Sequence, residues 1–224
     1  MTEMSAPTFA EVTEADYHQY LAGLLAGDRD RCASVARGLR ASGVGVRQLY
    51  LKLFQRGLYD IGALWQQGRI SVAVEHLATA LTERLLSIFH SEIFAGPRRQ
   101  RSALIACPGG ELHQLGGRMV ADFFEMQGWR GDFLGANTPH RDLVSMIGDR
   151  KPDMLGLSVS TEANVPAMFR AVAAVTAAHP DLDILIGGQG FQGEGCRAVA
   201  GYPRVMCIGA TTELEGILAA YDSR

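Results

Sequence analysis

The sequence predicts an N-terminal four-helix bundle followed by an α/β domain built on a five-stranded parallel sheet. Apolar residues recur at helical spacing from about Glu14 to Phe94. The connector Gly96-Pro97-Arg98-Arg99-Gln100-Arg101 then breaks the pattern. Beyond it, short apolar runs alternate with amphipathic stretches, which implies a parallel sheet covered on both faces. The expected division is 1–95 for the bundle and 102–224 for the sheet domain.

In the first half, Tyr17, Tyr20, Leu21, Leu24 and Leu25 define one helix, ending at Gly27-Asp28. A second runs from about Asp30 to Arg40, with Val35 and Leu39 on one face and Ser42-Gly43 closing it. A third carries Leu49, Tyr50, Leu53, Leu58, Ile61 and Leu64 and ends after Trp65, at Gly68. Ser71 is the N-cap expected for a fourth, which sets Leu77, Leu81, Leu85 and Ile88 on one stripe. Short connections between four helices give an antiparallel bundle. In the second half, strands are expected at 102–107, 131–134, 154–159, 183–187 and 204–208. Helices are expected at 114–127, 139–149, 163–178, 191–200 and 211–222. Five such strands suggest a flavodoxin-like order.

With 224 residues, 47% hydrophobic and 20% charged, the chain suits one or two globular domains. A net charge of -3 gives no electrostatic ground for nucleic-acid binding, and no DNA-binding motif is recognisable. The four cysteines, Cys32, Cys107, Cys196 and Cys207, show no CxxC spacing; Cys107 and Cys207 sit in apolar runs, so buried free thiols in a reducing cytoplasm are expected. The first residues are acidic and polar, unlike a secretory signal. No apolar run reaches the roughly 20 residues of a membrane span. A cytoplasmic location, without membrane contact, is expected.

Chemistry concentrates in the loop Pro108-Gly109-Gly110-Glu111-Leu112-His113-Gln114-Leu115-Gly116-Gly117, between the first strand and its helix. Such a turn lies beyond the carboxyl end of a parallel strand, where ligands of open α/β sheets collect. His113 offers a ring nitrogen to a metal, and Glu111 can take the other ring N–H and fix the tautomer. The loop has neither GxGxxG nor GK[ST], so a nucleotide is a poor fit. Ser158-Val159-Ser160 and Gly187-Gly188-Gln189-Gly190 follow later strands and fall on the same edge. Trp129 and His179 read as surface or packing residues, His140 as a helix start, and Arg98-Arg99 as a solvated linker.

Glu111-x-His113-x-x-Gly116, Ser158-x-Ser160 and Gly187-Gly188, in that order across 102–222, resemble the cobalamin-binding domain of methionine synthase, corrinoid methyltransferase proteins and cobalamin-dependent mutases. That family carries DxHxxG, a serine pair and GG; Glu111 here replaces the commoner aspartate. The resemblance implies a Rossmann-like cobalamin-binding domain in which His113 is the lower axial ligand of cobalt. The displaced nucleotide tail would lie near Ser158, Ser160 and Gly188.

Trp65, followed by nine residues and then Glu75-His76, is similar to the helical cap of CarH and LitR photoreceptors. There the bundle covers the adenosyl face of the cofactor. The resemblance implies that Trp65 packs on the adenosyl group and that Glu75 and His76 belong to its pocket. Two features depart from that family. A DNA-binding domain ahead of the cap is absent from the sequence, so direct DNA binding is not expected. The family also often has a histidine directly after the tryptophan, which captures cobalt once light has removed the adenosyl group. Gln66 stands there, and an amide is a poor cobalt ligand.

The resemblance implies a stand-alone cobalamin photosensor, not an enzyme, that binds adenosylcobalamin and loses its adenosyl group in light. Its signal would pass through self-association or a separate output protein. Some stand-alone members are thought to hold a bilin as well; nothing in this sequence, Cys32 included, establishes such a site. The alternative is a corrinoid protein shuttling methyl groups for a methyltransferase system. An α/β binding module without cobalamin is a third, blander reading.

Overall fold

The computed structural model describes residues 10–191, Cys196, Val199 and 201–222. Two compact units divide the chain at Ile93 and Phe94. No helix among the described residues is long and apolar enough to cross a membrane.

The first unit is the bundle. Helix α1 (Glu14–Ala26) opens with a capping box: the Asp16 N–H donates to Thr13 Oγ1 and the Thr13 N–H to Asp16 Oδ2. It closes at Gly27 in the left-handed region (φ 65°), and Asp28 caps α2 (Arg29–Ala41) by accepting from the Arg31 N–H at 2.9 Å. The third rod is compound: α3 (Val46–Gln48), a π-helical segment (Leu49–Gln55) and α4 (Arg56–Gln66) follow one another without a break. Ser71 then accepts from the Val74 N–H at 3.3 Å as α5 (Val72–Ile93) begins, as its expected N-cap role requires.

Tyr17, Tyr20 and Leu24 of α1 meet Leu49, Tyr50, Leu53 and Phe54 of the π segment and Leu81, Leu85 and Phe89 of α5 in the bundle core. Phe54 stacks near Tyr20, Tyr50 and Phe89, with ring centroids 5.9, 5.7 and 6.2 Å apart. A buried hydroxyl pair here, Tyr20 with Thr82 at 3.1 Å, answers the need of polar groups taken out of water, and Thr82 Oγ1 also donates to Ala78 O. Arg56 grips Glu14 with both guanidinium arms (2.6 and 2.8 Å) and lies 3.7 Å over the Tyr17 ring; the Tyr17 hydroxyl donates to Asp60. The expected α5 stripe needs correction at its ends. Leu77 and Ile88 are exposed, and the buried face instead runs through Ala78, Leu81, Thr82, Leu85, Leu86 and Phe89. A single 22-residue helix packs on several neighbours, so its buried stripe is wider and rotated from a simple i, i+4 reading.

The second unit is a parallel sheet of strands β1 (Ser102–Ala106), β2 (Arg130–Phe133), β3 (Met154–Ser158), β4 (Asp183–Gly187) and β5 (Val205–Cys207). Their order is β2-β1-β3-β4-β5 with every pair parallel, the flavodoxin-like order expected. Helices α6 (Leu115–Met126), α7 (His140–Arg150), α8 (Val165–Ala178) and α9 (Glu213–Asp222) complete the layers. All residues of β3 and β4 are buried, as strands covered on both faces must be. The helix expected at 191–200 lies mostly outside the described residues.

Two smaller expectations change, and a third, for Trp129 and His179, is narrowed to packing. Arg98 is no solvated linker: it pairs with Glu125, itself buried, and lies 4.9 Å over the Phe94 ring. The neighbouring Arg99 N–H donates to Gly128 O at 2.7 Å, so the basic connector is part of the second unit's packing. Cys196 and Cys207 are joined in a disulfide and are not thiols. Trp129 is fully buried between Phe124 and Tyr221, and His179 Nε2 lies 3.0 Å from Val144 O; both are packing residues.

Candidate functional site

The sheet reverses its winding between β1 and β3, and the crevice of an open α/β sheet opens at such a point. The loop after β1 is braced there by the segment after β2. Thr138 N–H donates to Cys107 O, Asn137 N–H to Glu111 O, and Gly110 N–H to Asn137 Oδ1, all within 2.8–2.9 Å. Gly110 (φ 92°) and Asn137 (φ 51°) take the left-handed turns this crossing requires.

Glu111 is the hub. Its Oε1 accepts from the His113 N–H (2.8 Å) and faces His113 Nδ1 at 2.6 Å. Its Oε2 accepts from the Ser160 N–H (2.8 Å) and the Asn164 side-chain amide (2.9 Å). Burial alone would raise the carboxyl pKa. The hydrogen bonds from the His113 ring, the Ser160 backbone and Asn164 overcome that, and hold it at about 2 against an ordinary 4.5. The fixed carboxylate accepts the Nδ1 proton of His113 and so selects the tautomer whose Nε2 carries a lone pair. The longer reach of glutamate lets one carboxylate span from His113 to the loop after β3.

Beside the hub, Ser158 is buried, and a Cβ placed on Gly116 would come within 3.8 Å of its hydroxyl oxygen. That is ordinary van der Waals distance, so Gly116 lies directly over Ser158 at the start of α6 and the end of β3. Ser160 contributes its backbone N–H to Glu111. Gly188 is required by the protein itself, and Gly187 is closely fitted. A Cβ on Gly188 (φ 107°) would lie 2.1 Å from Val159 O, and one on Gly187 3.0 Å from Ile208 Cγ1. The close approach these glycines permit is therefore, at the least, that of the β3 and β5 ends.

The bundle carries the remaining predicted residues. Trp65, in the last turn of α4, is 37% exposed although it lies one turn beyond the buried Ile61. Glu75, in the first turn of α5, accepts from Thr79 Oγ1 at 3.0 Å, and its Oε2 is 3.6 Å from His76 Nε2. The geometry thus unites Glu111, His113, Gly116, Ser158 and Ser160 in one unit, and Glu75 and His76 in the other.

Sequence reasoning missed Asn164 and Asn137, which complete the hub from distant points in the chain, and Leu112. Leu112 is 71% exposed next to His113, whose side chain is 44% exposed. A large aliphatic side chain left open beside a metal-competent imidazole was a readable signal in the loop. An imidazole oriented by a buried carboxylate leaves its other ring nitrogen able to hold a metal, as a single ligand to a metal whose other ligands come from elsewhere.

A helical bundle preceding a five-stranded parallel sheet is a fold this chain shares with a solved corrinoid protein. The Methanosarcina barkeri monomethylamine corrinoid protein superposes with a TM-score of 0.81, covering 93% of this chain and 99% of that one at 11% identity. Residues 101–217 match the B12 binding domain model, and residues 17–89 match a second B12 binding domain model. The chain belongs to the B12-binding domain family. Two Myxococcus xanthus proteins are similar in sequence. The HTH-type transcriptional repressor CarA is 35% identical over 124 residues, 54% of this chain and 42% of that protein. The HTH-type transcriptional repressor CarH is 30% identical over 133 residues, 58% of this chain and 44% of that protein. The matches therefore span less than half the length of these relatives.

Proposed function

We propose that the chain is a light sensor that binds adenosylcobalamin base-off, with His113 Nε2 as the lower ligand of cobalt. Glu111 holds the Nδ1 proton, Leu112 would offer apolar surface to the bound cofactor, and Ser158, Ser160, Gly187 and Gly188 would hold its nucleotide tail. Trp65, Glu75 and His76 receive the adenosyl group. The cofactor supplies a cobalt–carbon bond that visible light breaks. Loss of the adenosyl contacts at Trp65 and Glu75 then biases the bundle between two states. The signal passes by self-association or to a separate output protein.

The observation that carries this reading is Trp65. A tryptophan 37% exposed at a helix end, set at the cap spacing before Glu75-His76, has a face to give to a ligand. The sequence similarity to CarA and CarH supports it. Because the free cofactor is itself photolabile, the readout must be the protein. The complex is prepared in darkness, illuminated, and followed by size-exclusion chromatography and limited proteolysis. A light-dependent change in either, with adenosylcobalamin and not with cyanocobalamin, is expected. Identical elution and cleavage before and after light would overturn the proposal.

A methyl carrier is the second reading. The fold shared with a corrinoid protein favours it, as does Gln66, which leaves the position after Trp65 without an imidazole and His76 as the candidate for a second histidine ligand. Methyl transfer from bound methylcobalamin to a thiol acceptor, with no light response, would be its signature.

A further inference from the structure

We propose that Cys196 and Cys207 form a reversible thiol–disulfide couple that controls how firmly the β4–β5 edge retains the tail of a bound cobalamin. The two lie far apart in kind from the other cysteines. Cys32 and Cys107 are buried thiols; burial, followed by the charge of Asp28, pushes Cys32 up to about 11, and burial with Glu111 pushes Cys107 up to about 12. Neither supplies thiolate near neutral pH, so neither competes in exchange. Cys196 and Cys207 are both partly exposed, 11 positions apart, with a Cα separation of 5.5 Å, within the range a disulfide spans. A partly exposed bond of this kind is accessible to exchange, whereas buried structural disulfides are not.

Its place gives it consequence. Cys207 is the β5 partner of Ile186 in the sheet register, one residue ahead of Gly187. The next residue, Ile208, donates its N–H to Ile186 O and packs on Gly187. The bond therefore fastens position 196 to the strand that supports Gly187-Gly188. The consequence for cobalamin rests on the reading of Gly187 and Gly188 as tail-slot residues; the couple itself does not.

The exchange needs a small disulfide such as oxidised glutathione. One cysteine thiolate attacks its sulfur, breaking that S–S bond and expelling one thiolate to leave a mixed disulfide. The second cysteine thiolate attacks the protein-bound sulfur and expels the other. Two protein thiols are oxidised, one small disulfide is reduced to two thiols, and the two protons pass to the thiolates released.

The full chain is equilibrated across ratios of reduced to oxidised glutathione, alkylated without denaturant and mapped by mass spectrometry. Label on Cys196 and Cys207 should rise together as the buffer becomes reducing, while Cys32 and Cys107 take label only after denaturation. Cobalamin release from the loaded protein should be about tenfold faster in the reduced form, the change that a loss of ~1.4 kcal/mol in retention produces. Cys196→Ser should release at the reduced rate in both buffers. Labelling of Cys196 and Cys207 that stays the same at every glutathione ratio would overturn the couple. Equal release rates from oxidised and reduced wild type would overturn its control of the tail. A protein that shows the couple but takes up no cobalamin would overturn the ligand reading of the site and leave the redox couple standing.

Discussion

Replacing Glu111 by glutamine removes a charge while keeping the shape, and its cost follows from the hub. Each carboxylate oxygen receives two N–H groups: His113 N–H and Nδ1 on Oε1, Ser160 N–H and the Asn164 amide on Oε2. A glutamine has one carbonyl and one NH2, so in either orientation its nitrogen faces two donors in a dry site. Leaving two buried donors without an acceptor costs about 3 kcal/mol. Proton linkage gives the same scale by a separate route: a carboxyl moved from 4.5 to about 2 contributes about 3 kcal/mol when ionised. The folded pKa is lowered, so this stability is complete above about 4.5 and is lost as pH falls towards 2. Denaturant unfolding is followed by Trp129 emission in a Trp65→Phe background, which reports the sheet unit. Glu111→Gln should be less stable than its parent by about 3 kcal/mol at pH 7, and the gap should close as the pH falls from about 4.5 towards 2. A gap below about 0.5 kcal/mol, or one independent of pH, would refute the reasoning.

Trp65→Ala should weaken adenosylcobalamin about tenfold (~1.4 kcal/mol) while leaving methylcobalamin nearly unchanged by titration, since only the larger upper group reaches the indole. Equal losses would indicate general damage to the bundle. Gln66→His places an imidazole where an amide stands, so the illuminated variant should show a bis-histidine absorption spectrum and recover slowly on adding fresh adenosylcobalamin. Such a spectrum from the wild type would contradict the role given to Gln66. Gly188→Ala forces a Cβ onto Val159 O at a positive φ and should cost about 3 kcal/mol in thermal or denaturant unfolding; wild-type stability would show that the β3–β4 edge relaxes freely.

How much of this was legible depended on the range of the interactions. Alternation of apolar runs with amphipathic stretches was enough for the parallel sheet, because β3 and β4 are buried on both faces and carry continuous apolar sequence. The caps at Ser71 and Gly27 are local and were equally readable. The Glu111–His113 pair was legible because the partners are two residues apart, whereas Asn164, 53 residues away, enters only once β3 has been placed beside β1. The π segment at Leu49–Gln55 was invisible, because its apolar spacing is also that of an α-helix. The Cys196–Cys207 pairing depends on where β5 returns to the sheet, which spacing alone does not disclose. Arg98 looked like a solvated linker because its acceptor, Glu125, belongs to α6.

The central claim is that His113 is the axial ligand of cobalt, and it has a direct test in electron paramagnetic resonance. Protein grown with 15N-labelled histidine is loaded with unlabelled cob(II)alamin, whose unpaired electron couples to the axial nitrogen. Histidine ligation predicts that the superhyperfine pattern changes from triplets in unlabelled protein to doublets in labelled protein, and that His113→Ala removes the doublets. Triplets persisting in the labelled protein would mean that the cofactor's own base stays on the metal, and would contradict the account.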